Sequence, residues 1–425
     1  MSTEENGVGK LRSVVFVCQV FHPDEISTSQ LFSPLMRALA SKGYDVTVLC
    51  GFPASGSPRH LPRFEIWEEV KIRRCGLRVP LKKNMVSRVL AYGSYLLEAT
   101  LRLMGSARQA QWLGVTNPPF LAWFLAAASA VRRKSFDFML LDLQPEGLVA
   151  LREVSESAFL VRAWMALNRV SYRAARRLIV LGRDMPPILW KNYGIGDSGR
   201  LPYLPHWSAA ECSAPPGFGA SKFVDLWGLR NRFVVQYSGN MGLWHDLETF
   251  VRAAKELENE PGFQFVFIGG GMRRKGAMNL ARELGVGNIQ WHDFVPLEKL
   301  SESLAACHVS LLSLMAGLEG VAVPCKLYGI LASGRPVLAQ VPKDSEVALT
   351  VGEHECGVVV EPGDVVGLVN ALRSMALDPE RLRVMGDNAF KAYQAHYRLD
   401  SAARAFDLLL SGVDSRPEGI DGARE

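Results

Sequence analysis

The sequence predicts an α/β protein made of two successive doubly wound units, each a parallel sheet covered by helices on both faces. Residues 13–20 form an unbroken apolar run, as expected of a parallel strand buried on both sides. A helix-patterned segment over 30–41 connects this run to a second one at 45–50. The same alternation restarts at Phe233, after a proline-bearing loop. Because such sheets bind ligands at the carboxyl ends of their strands, two facing sheets also predict a cleft between the units.

The first predicted domain spans residues 1–205. Beyond the opening strand–helix–strand unit, its sequence indicates a strand at 138–142, a helix over 159–176 and a further strand at 177–182. Crossovers between such parallel strands are expected to be right-handed.

The second predicted domain spans residues 231–385 and follows a linker over 206–230. Its sequence patterns alternate in the same way, with strands expected at 233–237, 263–268, 289–291, 309–314, 336–339 and 357–360. A C-terminal helix, residues 386–411, is expected to return to the first domain. Residues 412–425 are polar and are expected to be a disordered tail.

Composition limits the class of protein. The 425 residues carry a formal net charge of +5, too small to indicate nucleic-acid binding by itself. Charge is concentrated in residues 59–134, which contain 14 Lys or Arg against four Glu and no Asp. This basic stretch attracts phosphates or anionic lipid headgroups, unless it is only a solvated basic face. The seven cysteines show no metal-ligand spacing and the N-terminus is polar, so we expect a cytoplasmic protein with reduced thiols and no metal site.

One uncharged segment, residues 112–131, has the length of a membrane span but is interrupted by Asn117-Pro118-Pro119. The continuous part, 120–131, is too short to cross a bilayer, and we interpret it as a buried or interfacial helix. The preceding segment, 88–105, has two interpretations: a helix lying flat on an anionic membrane, or an ordinary amphipathic surface helix. Peripheral attachment to the inner face of the plasma membrane therefore remains one alternative.

Three side chains near strand ends in the first domain are candidate catalytic residues. His22 follows the first strand and could donate a hydrogen bond near neutral pH, although a loop histidine without such a role is an equal alternative. Asp142 and Glu146 follow the strand at 138–142 and could orient an acceptor hydroxyl or act as a base. Glu146 could instead cap a helix, since Pro145 suits a first helical turn.

Two glycine loops in the second domain are candidate phosphate-binding elements. Gly239, Asn240 and Gly242 follow a strand and precede a helix, a position at which glycine lets the backbone approach a phosphate. Gly271 ends the next strand and Arg273 follows it, and one arginine can grip two phosphate oxygens. The alternatives are a plain strand-to-helix turn and a solvated helix start.

Four segments together resemble a known family. They are YSGNMG at 237–242, FIGGG at 267–271, VPCKLYGILASGRPVLA at 323–339 and DLQPE at 142–146. The chain resembles family-four glycosyltransferases of the GT-B fold over nearly its whole length, and is most similar to the colanic-acid and fucosamine transferase branch. The last two segments are fairly specific to that branch, whereas the glycine loops alone are not.

The resemblance implies a retaining transfer of a sugar from a nucleotide-sugar, expected to be UDP-linked, held by the second domain. It places Pro324 and Lys326 in the donor site. The first domain is then the acceptor side, and the acceptor is expected to be a glycan or a polyprenyl-diphosphate-linked sugar. A nucleotide-sugar co-substrate is expected, without a further cofactor, metal or nucleic acid.

The sequence also departs from the family. Its members carry two glutamates eight residues apart that hold donor sugar and ribose hydroxyls, and the corresponding positions here are Val321 and Gly329. Glu319 lies two residues earlier and is a candidate substitute for the first glutamate. The basic residue that the family commonly carries after the first glycine loop is also missing, so Arg273 and Lys326 are expected to meet the diphosphate. The alternatives are therefore a catalytically degenerate GT-B scaffold subunit of a polysaccharide assembly, or a sugar-nucleotide epimerase.

Overall fold

The computed structural model describes residues 12–53, 61–78, 85–260 and 262–412, which fold around two sheets. The N-terminal sheet has the strand order β3-β4-β2-β1-β5-β6-β7, and all its neighbours are parallel except β3 and β4. Its strands are β1 (Ser13–Val17), β2 (Asp45–Cys50), β3 (Phe64–Trp67), β4 (Val70–Arg74), β5 (Gln111–Val115), β6 (Phe136–Leu140) and β7 (Arg177–Val180).

Helices cover both faces of this sheet. They are α1 (Ser27–Ser41), α2 (Met85–Met104), α3 (Leu121–Arg132), α4 (Glu146–Ala150), α5 (Phe159–Ala174) and α6 (Met185–Tyr193). The chain moves in one direction across the sheet from β1 to β2 and in the other from β4 to β7. Because crossovers are right-handed, α1 covers one face while α2, α3 and α5 cover the opposite one.

The C-terminal sheet is wholly parallel, with the order β10-β9-β8-β11-β12-β13. Its strands are β8 (Phe233–Ser238), β9 (Phe263–Ile268), β10 (Ile289–His292), β11 (Val309–Ser313), β12 (Val337–Gln340) and β13 (Gly357–Val360). Its helices are α7 (Lys222–Leu226), α8 (Glu248–Glu256), α9 (Arg274–Glu283), α10 (Leu300–Leu304), α11 (Lys326–Ala332), α12 (Glu346–Glu353) and α13 (Val365–Leu377). The strand order reverses between β8 and β11, so the ligand crevice of this sheet is expected at their carboxyl ends.

The chain ends in two helices, α14 (Pro379–His396) and α15 (Leu399–Ser411). The sequence pattern suggested one continuous helical stretch over 379–410, but the backbone is extended at Arg398 and separates the two. Helix α15 packs on the N-terminal domain, where the Tyr44 hydroxyl donates to Asp407 Oδ1 at 2.6 Å and the Gln111 amide donates to the Leu410 carbonyl at 2.6 Å. Except for Gly412, the predicted tail lies outside the described residues.

Three further parts of the chain differ from the sequence-based expectations. Residues 206–230 were expected to be a linker, but α7 lies within them and buries Phe223 and Val224 against the C-terminal domain. The β3–β4 hairpin in the basic stretch was not anticipated, because its strands are short and β3 exposes alternate side chains. The strand expected at 138–142 begins at Phe136 and ends at Leu140, so Asp142 lies beyond it.

The two domains are joined at the cleft and along the chain. The backbone N–H of Leu143 donates to the Val321 carbonyl at 2.9 Å, and Asp142 forms an isolated antiparallel bridge with Ala322. Where the chain passes between the domains, the N–H of Ser208 donates to the carbonyl of Tyr397 at 2.9 Å. No helix in the described ranges is long and apolar enough to cross a membrane.

Candidate active site

The loops after β8 and β9 lie against each other at the point where the strand order reverses. The N–H of Gly239 donates to the Ile268 carbonyl at 2.9 Å, and the N–H of Met241 donates to the Gly270 carbonyl at 2.7 Å. Gly271 has a φ of 138°, and a Cβ there would lie 2.5 Å from the Met241 carbonyl oxygen. Both glycine loops predicted from the sequence therefore meet in one structure at the mouth of the crevice.

Position 239 requires a glycine because the side chain of Lys326, the first residue of α11, lies against it. Gly239 has a φ of 126°, and a Cβ at this position would lie 2.8 Å from Cε of Lys326. The lysine stem therefore lies directly across the first glycine loop. Two predicted donor-site residues that are far apart in the sequence are in direct contact.

His245 holds the ammonium group of Lys326. Its Nδ1 lies 2.7 Å from the Ser313 carbonyl oxygen at the end of β11, and its Nε2 lies 3.0 Å from Nζ of Lys326. A carbonyl only accepts, so Nδ1 carries the proton and Nε2 accepts from Lys326. Nζ also lies 5.6 Å from the ring centre of Tyr237, within cation–π range.

Burial disfavours the charged forms of Lys326 and His245 in the free protein. Burial lowers the pKa of Lys326 to about 8. Burial, and to a lesser degree the charge of Lys326, lower the pKa of His245 to about 3, so the imidazole is neutral. Among the described residues, no carboxylate forms an ion pair with Lys326. An unpaired cation beside a glycine loop suits an anionic ligand.

Arg273 is partly engaged with the protein itself. Its Nε donates to the Leu243 carbonyl at 2.9 Å, and its Nη2 lies 3.4 Å from Sδ of Met315. The guanidinium therefore stiffens the loop that carries Asn240, which is exposed, and Gly242. The neighbouring cation, Arg274, is paired with Asp293.

The positions at which the family carries its two glutamates have other roles here. Val321 is buried, and its carbonyl oxygen joins the two domains through Leu143. A Cβ at Gly329 would lie 3.5 Å from Leu304 of α10. Glu319, the candidate substitute, accepts from the N–H of Gly317 at 2.8 Å and so closes its own turn.

Pro324 precedes α11, and its carbonyl oxygen accepts from the N–H of Leu327 at 3.2 Å. The proline is buried and fixes the backbone at which Lys326 enters the crevice.

On the N-terminal side, His22 is held by the β3–β4 hairpin. Its ring stacks on Trp67 with a centroid distance of 4.2 Å, and its carbonyl oxygen accepts from Nη2 of Arg74 at 3.1 Å. Burial is the main cause that lowers its pKa. In the described part of the chain, no contact joins His22 to Asp142 or Lys326.

Asp142 and Glu146 have different surroundings. Burial raises the pKa of Asp142 to about 7, and its Oδ1 has no hydrogen-bond partner among the described residues. Glu146 begins α4 and accepts from Nδ2 of Asn192 at 3.0 Å and from the Tyr193 hydroxyl at 2.5 Å. Each carboxylate therefore keeps one buried oxygen without a partner among the described residues, whereas the other Glu146 oxygen is used to hold α6.

The Asp142–Glu146 segment also lies next to the donor loop. A Cβ at Gly147 would lie 3.1 Å from the Trp244 ring and 3.4 Å from Cγ1 of Val321.

His245 is the site residue that the candidate set from the sequence lacked. The sequence showed only that a histidine stands in the segment where the family carries a cation. Within the described residues, no cluster of three or more His, Cys, Asp or Glu is arranged to hold a metal.

Two mostly parallel sheets, with a lysine across a glycine loop at a switch point, are typical of α/β proteins that bind nucleotides. Comparison with known proteins narrows this class. Residues 227–392 match the family "Glycosyl transferases group 1". This match covers most of the C-terminal domain, and the chain as a whole is a glycosyltransferase with the GT-B fold. The predicted family, fold and enzyme class are thereby confirmed.

Individual proteins show how far the similarity extends. "Probable glycosyltransferase WbjE" of Pseudomonas aeruginosa is 26% identical over 68% of this chain and 72% of its own length. "Putative colanic acid biosynthesis glycosyl transferase WcaI" of Escherichia coli K12 is 22% identical over 87% of this chain and 93% of its own. Anabaena Alr3699/HepE, solved in complex with UDP, superposes with a TM-score of 0.68 at 14% identity, covering 95% of this chain and 100% of its own.

Proposed function

We propose that this glycosyltransferase moves a sugar, with retention, from a UDP-linked donor to a glycan or polyprenyl-diphosphate-linked acceptor in surface polysaccharide synthesis. The observation that carries the proposal is the half-buried ammonium group of Lys326. It lies across Gly239 and is held by a neutral imidazole, without a carboxylate partner in the described part. The UDP complex of HepE and the description of WcaI as a putative colanic acid biosynthesis glycosyl transferase support the choice of donor and pathway class.

In the proposed complex, the donor diphosphate is the missing counter-ion. Lys326 meets it from one side, and the N–H groups of Asn240 and Gly242, which have no backbone acceptor in the described part, meet it from the other. Phe294, which lies against Gly269 and is largely exposed, offers an aromatic face for the base. This arrangement needs no metal ion to neutralise the diphosphate.

Transfer then depends on positioning and on charge stabilisation. The acceptor oxygen bonds to the anomeric carbon while the bond from that carbon to the diphosphate breaks. The leaving diphosphate takes up the acceptor proton, and Lys326 stabilises the charge that develops on it. Asp142, next to the donor loop, orients the acceptor by accepting a hydrogen bond from a hydroxyl group of the acceptor that does not react.

Nucleotide binding provides the first test. Isothermal titration with UDP, GDP and ADP should give a preference for UDP in the wild-type protein, and Lys326→Ala should weaken UDP binding by about tenfold or more. Lys275→Ala is the matched control, because Lys275 is an exposed lysine at the start of α9. Unchanged UDP affinity in Lys326→Ala, or an equal loss in Lys275→Ala, would contradict the proposed donor site.

A second candidate function follows from the lost glutamates. With Val321 and Gly329 in their places, the chain would bind a nucleotide in an assembly without transferring sugar. A transfer assay with UDP-sugars and membrane extracts as acceptor source separates the two functions. Acceptor-dependent release of UDP supports the transferase. UDP binding without release in any donor and acceptor combination supports the scaffold.

A further inference from the structure

Helix α2 presents an uncharged apolar face on the side turned away from the sheet. Five of its large side chains are 49% to 66% exposed: Val86, Val89, Leu90, Leu97 and Leu101. At roughly 3.6 residues per turn these positions fall within one arc of the helix, and no charged residue lies in that arc. The opposite face is buried, and the hydroxyl of Tyr95 on that face donates to the Leu49 carbonyl of β2 at 3.1 Å.

Helix α5 repeats this arrangement. Four of its apolar side chains are 47% to 82% exposed: Phe159, Leu160, Leu167 and Val170. Its buried face packs on the sheet, with the Tyr172 ring 6.2 Å from that of Phe138 in β6. Helix α3 lies between α2 and α5 and packs against both, and its Trp123 donates to Asn168 of α5 at 2.7 Å. The two exposed apolar faces therefore share one surface, which we call the outer helical face.

The charge on these helices is almost entirely positive. Helices α2, α3 and α5 contain one acidic residue, Glu98, which is paired with Arg63 and Arg102. The same helices carry six arginines, Arg88, Arg102, Arg132, Arg162, Arg169 and Arg173, of which Arg102 is the one that pairs with Glu98. At roughly 3.6 residues per turn, the three arginines of α5 lie beside its exposed apolar face. Exposed apolar side chains with arginines on the same helices complement an anionic bilayer, which offers an acyl boundary and phosphate headgroups together. A second copy of this surface would bring like charges together, which opposes self-association.

We infer that the outer helical face docks the protein on an anionic membrane surface, with α2 and α5 lying in the headgroup region. Each helix that follows a parallel strand starts at the carboxyl edge of the sheet, so Val86 and Phe159 lie towards the cleft. Docking through this face therefore brings the cleft mouth close to the lipid. The outer helical face does not include the nucleotide loops. The inference rests on the proposed function only for the consequence of docking, which is delivery of a lipid-linked acceptor to the cleft.

Vesicle co-sedimentation of the full chain tests this inference. The vesicles are phosphatidylcholine alone and an equimolar mixture of phosphatidylcholine with phosphatidylglycerol, each at low and high salt. We expect binding to the mixed vesicles, weakened by salt. The variants Leu97→Gln with Leu101→Gln, and Phe159→Gln with Val170→Gln, should each bind about tenfold or more weakly, since each removes two apolar side chains from the interface.

The matched control is Val366→Gln with Leu377→Gln, the same kind of change at apolar positions of the C-terminal domain that are 71% and 85% exposed. This variant should bind like the wild-type protein. A UDP-induced thermal shift in every variant shows that each is folded, and it separates this inference from the donor-site proposal. Wild-type binding to neither vesicle, or equal loss in the control, would overturn the inference. So would a wild-type dimer by light scattering that the α2 variant makes monomeric while vesicle binding is unchanged.

Discussion

Raising the pH from about 7 to about 9 should weaken the binding of a UDP-sugar, because Lys326 loses its charge in this range. With a pKa of about 8, the ammonium form makes up about nine-tenths of the free protein at the lower pH and about one-tenth at the higher. A bound diphosphate favours the charged form, so the complex keeps its proton. Linkage then predicts a dissociation constant about tenfold larger at pH 9, equivalent to about 1.4 kcal/mol.

Isothermal titration with a UDP-sugar measures this dependence, since its diphosphate does not titrate in the range. Lys326→Met should bind weakly and lack the tenfold change, so the difference between the two proteins isolates the lysine from titration of the base. Lys275→Ala should keep the wild-type slope. An equal slope in Lys326→Met, or a flat wild-type profile, would refute the assignment of the diphosphate to Lys326.

Three further substitutions test two other residues of the site and one contact between the domains. Gly239→Ala should cost about 1–3 kcal/mol of stability in denaturant unfolding and reduce UDP affinity, because the new Cβ would clash with Lys326. The control is Gly217→Ala, which should be nearly neutral because the space around Gly217 is open. Asp142→Asn should lower kcat by about 100-fold while nucleotide affinity is retained. In the wild-type protein the rate should fall as the pH drops through the Asp142 pKa of about 7, and this fall should be absent in the variant. A variant with the wild-type pH dependence of kcat would exclude Asp142 from the reaction. Glu346, the first residue of α12, has a buried carboxylate that accepts from Arg183 and Tyr203 of the N-terminal domain and from Thr350 of its own helix. Glu346→Ala should therefore destabilise the chain by about 3 kcal/mol in denaturant unfolding, and a loss under about 1 kcal/mol would contradict this.

Much of the fold could be predicted because parallel strands buried on both faces produce continuous apolar runs. Residues 13–20 and 233–237 show this pattern, and β1 and β8 lie there. The β3–β4 hairpin gives no such pattern, since Phe64 and Ile66 of the edge strand are largely exposed. Short edge strands are specified by pairing with a neighbour more than by their own sequence.

Site residues could be predicted only where they belong to a local sequence motif. Gly239 and Lys326 belong to motifs that the sequence displays, but their mutual contact depends on the start of α11 lying beside the loop that follows β8. The orientation of the His245 ring depends on its hydrogen bond to the Ser313 carbonyl. One Glu146 oxygen is occupied because it accepts from the Tyr193 hydroxyl. Each of these contacts joins elements that are distant in the sequence, so no local pattern records it.

The chain segments at Ser208 and Tyr397, which are joined by a hydrogen bond, limit how the two domains can move. The chain passes between the domains at these two places, and the 2.9 Å hydrogen bond ties the two passages side by side. Two adjacent connections restrict sliding and twisting of one domain against the other more than a single connection would. Catalytic groups on opposite walls would thus return to the same register after each product leaves. Removal of α15 would leave one connection and free the sliding and twisting motions.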